Sequence, residues 1–210
     1  MRIVILLFDG VTALDPIGVC DPLARLPNTE IVFVSETGVP CRTGDGFLSL
    51  APSAAIANVS EADVLLIPGG RPEGIQQCIN SEALRSNIKR LDRTTAITGS
   101  VCSGSLILGA ADLLRGRKAA THWRARDYMA HFGAEYTGDR ITRDEKYWTS
   151  ADVTAGIDLG LAICRHIAGD EIAASIELAM EYDPKPPFGT GNPHNASPKH
   201  KSIVAEILRG

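Results

Sequence analysis

The sequence predicts an α/β protein, with a parallel or mixed sheet carrying helices on both faces. Three observations carry that expectation. Short apolar runs alternate with longer segments of helical spacing along the chain. The first run, Arg2 to Phe8, is apolar without alternation, as a strand buried on both faces requires. The third is the stretch from Ala96 to Ala111, where a β-branched segment enters a sharp turn and leaves as a small-residue helix. A side chain on such a turn is lifted clear of the sheet, with the amides of a helix N-terminus behind it. Cys102 occupies that position.

The elements follow in order. After the first strand, Asp9-Gly10 breaks the run, and Val11 to Leu26 has helical spacing up to Pro27-Asn28. Glu30 to Ser35 reads as a second strand, and the glycine-punctuated stretch Gly38 to Leu50 as a hairpin or meander. Ala62 to Ile67 is a central strand that ends in the turn Pro68-Gly69-Gly70-Arg71-Pro72. Ser81 to Arg93 is an amphipathic helix, and Thr94 to Thr98 the strand feeding the Cys102 turn. The helix from Ser103 is expected to reach Leu114. Ala119 to Trp123 reads as a strand tip opening a helix to about Phe132. Gly133 to Tyr136 and Arg140 to Thr149 supply a strand and a hairpin-like pair. Val153 to Ala168 is a strong helix, and Asp170 caps another running to about Met180. Tyr182 to Pro198 is rich in proline, glycine and asparagine, which predicts irregular chain. A short amphipathic tail, roughly Lys199 to Leu208, follows. No repeat or linker interrupts the chain, so one domain over residues 1–210 is expected.

The composition narrows the class of function. The chain has 210 residues, 44% hydrophobic and 22% charged, with a net charge of −4, which leaves no basic footprint for nucleic acid. No apolar run approaches the roughly 20 residues of a membrane span, so no membrane partner is expected. Asp9-Gly10 comes too early for a signal peptide. Five scattered cysteines form no CxxC pair, and the five histidines lack ligand spacing, so no metal is expected. The cysteines point instead to a reduced, cytoplasmic compartment.

Ligands in such folds gather at the carboxyl ends of the strands, which brings Asp15, Gly69-Gly70, Cys102 and His122 towards one crevice. Cys102 is the candidate nucleophile, with a thiol pKa lowered by the helix terminus; the alternative is a buried cysteine acting as a small hydrophobe. Asp15 precedes Pro16 and reads locally as a helix N-cap, with catalysis as the other possibility. Asp152 either caps the following helix or faces the pocket, where its charge would raise the pKa of Asp15. The other cysteines read as structural: Cys20 and Cys164 as helix filler, Cys41 as partly exposed and Cys78 as a surface residue.

With these residues in view, the chain resembles the ThiJ/PfpI superfamily. The carriers are the buried first strand, Pro68-Gly69-Gly70, the Cys102 turn and Thr121-His122. Leu14-Asp15 to Gly18, Ser100 to Leu106, Ala120 to Trp123, Thr154 to Asp158 and Glu181 to Phe188 are similar to its isocyanide hydratase branch. The resemblance implies a flavodoxin-like sandwich, a homodimer, and a cofactor-free lyase hydrating isocyanides to formamides. Cys102 would be the nucleophile and Asp15 the general acid and base, with amides of Gly70 and Ser103 near the reacting centre. His122 matches a histidine of deglycase-like relatives, against packing beside Trp123 as the alternative. Ser103 stands where protease-like members carry their histidine, which argues against peptidase activity. The competing readings are a glyoxalase or deglycase acting on reactive carbonyls, and a non-catalytic redox sensor or regulatory domain. Regulators of this superfamily carry a helix-turn-helix tail, for which no room is expected after Gly210.

Overall fold

The first apolar run forms β1 (Arg2–Leu6), whose Ile3, Val4, Ile5 and Leu6 are fully buried in the computed structural model, which describes residues 1–207. The helix α1 (Leu14–Leu23) is shorter than its spacing suggested, because the Thr12 amide donates to the Gly69 carbonyl and the Gly10 carbonyl accepts from the Arg71 amide. β2 (Glu30–Ser35) runs parallel to β1, from Arg2 opposite Glu30 to Leu6 opposite Val34. β3 (Cys41–Arg42) and β4 (Ser49–Leu50) make the expected antiparallel hairpin, and β5 (Ala54–Ala55) pairs with β2 at the sheet edge. β6 (Val64–Ile67) is buried throughout and lies on the far side of β1.

After β6 the chain enters α2 (Pro72–Asn80), over residues to which the sequence assigned no element beyond the turn ending at Pro72. Pro72 opens it where a missing amide costs nothing. In α3 (Glu82–Asp92), Ser81 caps the N-terminus, its Oγ accepting from the Leu84 amide at 3.1 Å. The next strand, β7 (Ile97–Val101), starts three residues later than expected and runs straight to Cys102. α4 (Gly104–Ala110) stops well short of Leu114, at Asp112, which holds a left-handed backbone. β8 (Lys118–Ala119), the short α5 (Arg126–Met129) and β9 (Glu135–Tyr136) follow. β10 (Ile141–Asp144) and β11 (Tyr147–Ser150) form an antiparallel pair, and β11 also lies parallel to β7. α6 (Ala155–Ala168) and α7 (Asp170–Ala179) come next.

The main sheet therefore has seven strands in the order β10-β11-β7-β6-β1-β2-β5, parallel except for β10. Side-chain alternation divides the core between its faces. Val4, Leu6, Leu65 and Ile67 pack with Leu84, Ile88, Leu91 and Ile107 on the face of α2 to α5. α1 packs against α6 on the other. The arrangement is the flavodoxin-like sandwich expected. No helix among the described residues is long and apolar enough to cross a membrane.

The chain is described as two compact units, Met1–Met180 and the segment from Glu181 onward. The second unit is irregular chain followed by α8 (Pro198–Ile207). Leu208, where the amphipathic tail was expected to end, lies outside the described residues.

Candidate active site

Cys102 sits where β7 gives way to α4, at a φ of +56°. That left-handed backbone is uncommon outside glycine and marks a nucleophile elbow. Such strain persists only where neighbours over-determine it, and here three do. The Cys102 amide donates to the Ser150 carbonyl at 3.1 Å. Its carbonyl accepts from Thr121 Oγ1 at 3.3 Å and from Ser105 Oγ at 3.5 Å. Gly104 lets α4 close on β6, since a Cβ there would stand 2.1 Å from the Ile67 carbonyl oxygen.

Asp15 reaches the elbow from the first turn of α1 and is fully buried. Its Oδ2 accepts from the Gly69 amide at 2.8 Å, and its Oδ1 has no hydrogen-bond partner. The N-cap alternative is corrected, because Ala13 holds the cap position and the Asp15 carboxylate turns to Gly69. Gly69 makes this convergence possible. A Cβ there would lie 2.7 Å from the Ser103 amide nitrogen and 2.9 Å from Asp15 Oδ2.

Burial pushes the Asp15 carboxyl up to about 7. The Gly69 hydrogen bond opposes that rise, the charge of Asp152 adds to it, and the neighbouring Cys102 thiol opposes it. Burial also pushes the Cys102 thiol well above its ordinary range, with the Asp15 charge next in weight. The amide and hydroxyl of Ser103 pull the other way without prevailing. This corrects the expectation of a lowered thiol pKa. α4 is short, only seven residues, and desolvation outweighs what its terminus offers. The site holds a thiol beside a carboxyl poised near neutrality.

The remaining candidates surround that pair. The Gly70 amide donates to Ser103 Oγ at 3.3 Å, so these two residues stand together beside the sulfur. Asp152 caps α6, its Oδ1 accepting from the Ala155 amide at 2.9 Å, and its charge also reaches Asp15, Cys102 and His122. Among the described residues His122 makes no hydrogen bond to Cys102 or Asp15. Its Nδ1 accepts from the Arg124 amide at 3.4 Å, its ring lies 5.8 Å from Trp123, and burial lowers its pKa.

Gly69, Thr121 and Ser150 hold Asp15 and Cys102 in ways the sequence did not assign; only the Gly-Gly turn and the Thr-His step gave a local signal. Cys41 and Cys78 are both buried, which corrects their placement at the surface. Cys164 fills the α6 interface, its thiol 3.5 Å from the Pro22 carbonyl. Among the described residues no cluster of three or more His, Cys, Asp or Glu side chains could hold a metal ion.

Comparison with known proteins places this geometry among relatives. Residues 1–166 match the model of the DJ-1/PfpI family. An isonitrile hydratase of Pseudomonas putida is 36% identical over 196 residues, spanning 93% of this chain and 85% of that protein. A deglycase of Pyrococcus horikoshii is 33% identical over 101 residues, 48% of this chain and 58% of that protein. Among solved structures, a THiJ/PfpI family protein from Pseudomonas syringae superposes with a TM-score of 0.94 at 33% identity. That match covers 99% of this chain and 86% of the other. Drosophila melanogaster DJ-1beta shares the fold, with a TM-score of 0.78 at 16% identity over 87% of this chain and 98% of that one.

Proposed function

This chain belongs to the DJ-1/PfpI family, and we propose that it is a cofactor-independent lyase that hydrates isocyanides to N-substituted formamides. The observation that carries the reading is the pairing of the Cys102 thiol with a buried Asp15 carboxyl poised near 7. A group with that proton affinity both takes and gives a proton efficiently at neutral pH.

An isocyanide presents an electrophilic terminal carbon. The Cys102 sulfur attacks it while Asp15 takes the thiol proton, and Asp15 then delivers that proton to the carbon. The product is a thioimidate in which the old isocyanide carbon bears one hydrogen and the sulfur. Water adds to the same carbon with Asp15 again accepting a proton. Breaking the carbon–sulfur bond, with protonation of nitrogen and sulfur, releases the formamide and restores the thiol. Each turnover consumes one water and no electrons are gained or lost. Gly70 and Ser103 serve as hydrogen-bond donors beside the reacting carbon.

A buried thiol of high proton affinity suits this route, because the proton leaves as the sulfur attacks and no free thiolate has to be stored. Asp15, one methylene shorter than the glutamate expected of deglycase-like relatives, and His122, turned to Arg124, favour it over a glyoxalase or deglycase. The enzyme acts as a homodimer in this reading. Leu14 and Ile17, apolar side chains 42% and 43% exposed on the helix that carries Asp15, are candidates for its interface. Five free thiols fit a reducing cytoplasm.

The test incubates the protein with an alkyl isocyanide and follows formamide release. Turnover by the native chain, lost in Cys102→Ala and in Asp15→Asn, supports the reading. No formamide from the native chain, with Cys102 still reactive towards alkylating agents, overturns it; turnover of a reactive carbonyl would then favour the deglycase class. Oxidation of Cys102 without turnover of either would favour the sensor.

A further inference from the structure

Arg140, immediately before β10, is built into the start of α6. Its carbonyl accepts the Ala151 amide at 2.9 Å, which fixes it in register beside Asp152. Its Nη1 donates to Asp152 Oδ2 at 3.2 Å, its Nη2 to Thr154 Oγ1 at 3.4 Å, and its Nε to Asp158. Asp152 Oδ1 meanwhile takes the Ala155 amide at 2.9 Å and the Thr154 hydroxyl at 3.0 Å. The same turn of α6 lies against the reacting pair's supports. A Cβ at Gly156 would stand 3.2 Å from the Val101 side chain and 3.5 Å from the Asp15 carbonyl oxygen.

We propose that Arg140 is a positioning residue for the reacting pair: it pins the Asp152 carboxylate in this cluster and offsets the negative charge that Asp152 would otherwise turn on Asp15 and Cys102. The inference rests on the reading of Asp15 and Cys102 as the reacting groups. The charged and titratable groups facing one another are few. Arg140 lies on Asp152 and Asp158, and the charge of Asp152 reaches His122, Asp15 and Cys102. The Ser150 carbonyl, two residues before Asp152, accepts the Cys102 amide at 3.1 Å, which ties the Asp152 turn to the Cys102 turn. Asp152 is a carboxylate whose charge favours the protonated forms of both groups, and Arg140 is the cation seated on it. Arg140 is the partner that lets an aspartate cap α6 so close to a carboxyl that must ionise.

The test reads Cys102 itself and needs no isocyanide turnover, so it fails independently of the proposed reaction. The rate of iodoacetamide alkylation at Cys102, located by peptide mass spectrometry, is measured near pH 8 for the native chain and for single and double variants. Arg140→Gln is expected to slow it about threefold and Asp152→Asn to speed it by a similar factor, as a partly screened unit charge several ångströms away requires. Asn retains the cap, so Asp152→Asn leaves α6 intact. In the Asp152→Asn background Arg140→Gln should have no further effect, and Arg140→Lys should keep most of the native rate. Far-ultraviolet circular dichroism confirms that each variant is folded. An unchanged rate in Arg140→Gln, or an equal slowing in the Asp152→Asn background, overturns the proposal.

Discussion

Two buried aspartates stand near opposite ends of β7 and are treated in opposite ways. Asp92, at the end where β7 begins, accepts from Thr98 Oγ1 at 2.7 Å and Tyr147 OH at 3.2 Å, and Lys146 Nζ lies 3.1 Å from its Oδ1. Asp15, where β7 delivers Cys102, has one amide bond, an orphaned Oδ1 and no cation on it. A carboxylate with both oxygens partnered holds structure together. One left partly unsatisfied in a dry site keeps its affinity for a proton, and that affinity is what proton transfer uses.

If this contrast is right, removing each carboxylate has a different signature. Asp15→Asn keeps the acceptor for Gly69 but not the titrating group, and should lower kcat for formamide release by about 10³-fold, within the range general acid–base catalysis supplies. Asp92→Ala should instead cost about 3 kcal/mol in denaturant unfolding, since it removes the carboxylate that pairs with Lys146 and accepts the Thr98 and Tyr147 hydroxyls, and leave kcat per folded molecule near native. A collapse of kcat in Asp92→Ala would break the comparison.

Asp15→Asn sharpens it further through stability. The folded carboxyl binds its proton up to about 7, whereas the unfolded chain releases it near pH 4. Its favourable contribution is therefore complete below about pH 4 and lost as pH rises through 7. At pH 8 the ionised carboxylate is a burden on the fold, and Asp15→Asn should raise unfolding free energy by about 2 kcal/mol, a gain that vanishes at pH 4. Destabilisation at pH 8 would mean that Asp15 is held as firmly as Asp92. The smallest effect is in the native profile. Because Asp15 must be ionised to receive the thiol proton, kcat/KM should climb with pH through a single ionisation near 7, and Asp152→Asn should move that climb to lower pH.

The parts of this site legible in the sequence were those with local chemistry. The β-branched run into small residues around Cys102 announced a strand, a turn and a helix, and Pro68-Gly69-Gly70 announced a turn that ligand or side chain could approach. Asp15 was ambiguous, since an aspartate before a proline is also what a helix cap looks like; only the fold brings Gly69 to its carboxylate. Cys41 and Cys78 were misplaced because neither a two-residue strand nor a helix hidden behind Pro72 has a clear hydrophobic period. The thiol's proton affinity was misjudged because burial is a property of the assembled site. Ser150 and Arg140 had no signal at all, being brought to Cys102 and Asp152 by the pairing of β10, β11 and β7.

That pairing also governs when the protein acquires its chemistry. The Cys102 amide is seated on Ser150, a residue 48 positions further along, while the strand and helix around the cysteine are local. During synthesis, which proceeds from the N-terminus, a chain that has emerged only as far as Glu145 carries the cysteine but not the strand that bends it into its elbow. A chain of that length holds the cysteine free of its left-handed turn, and that turn is completed with the last strand of the sheet.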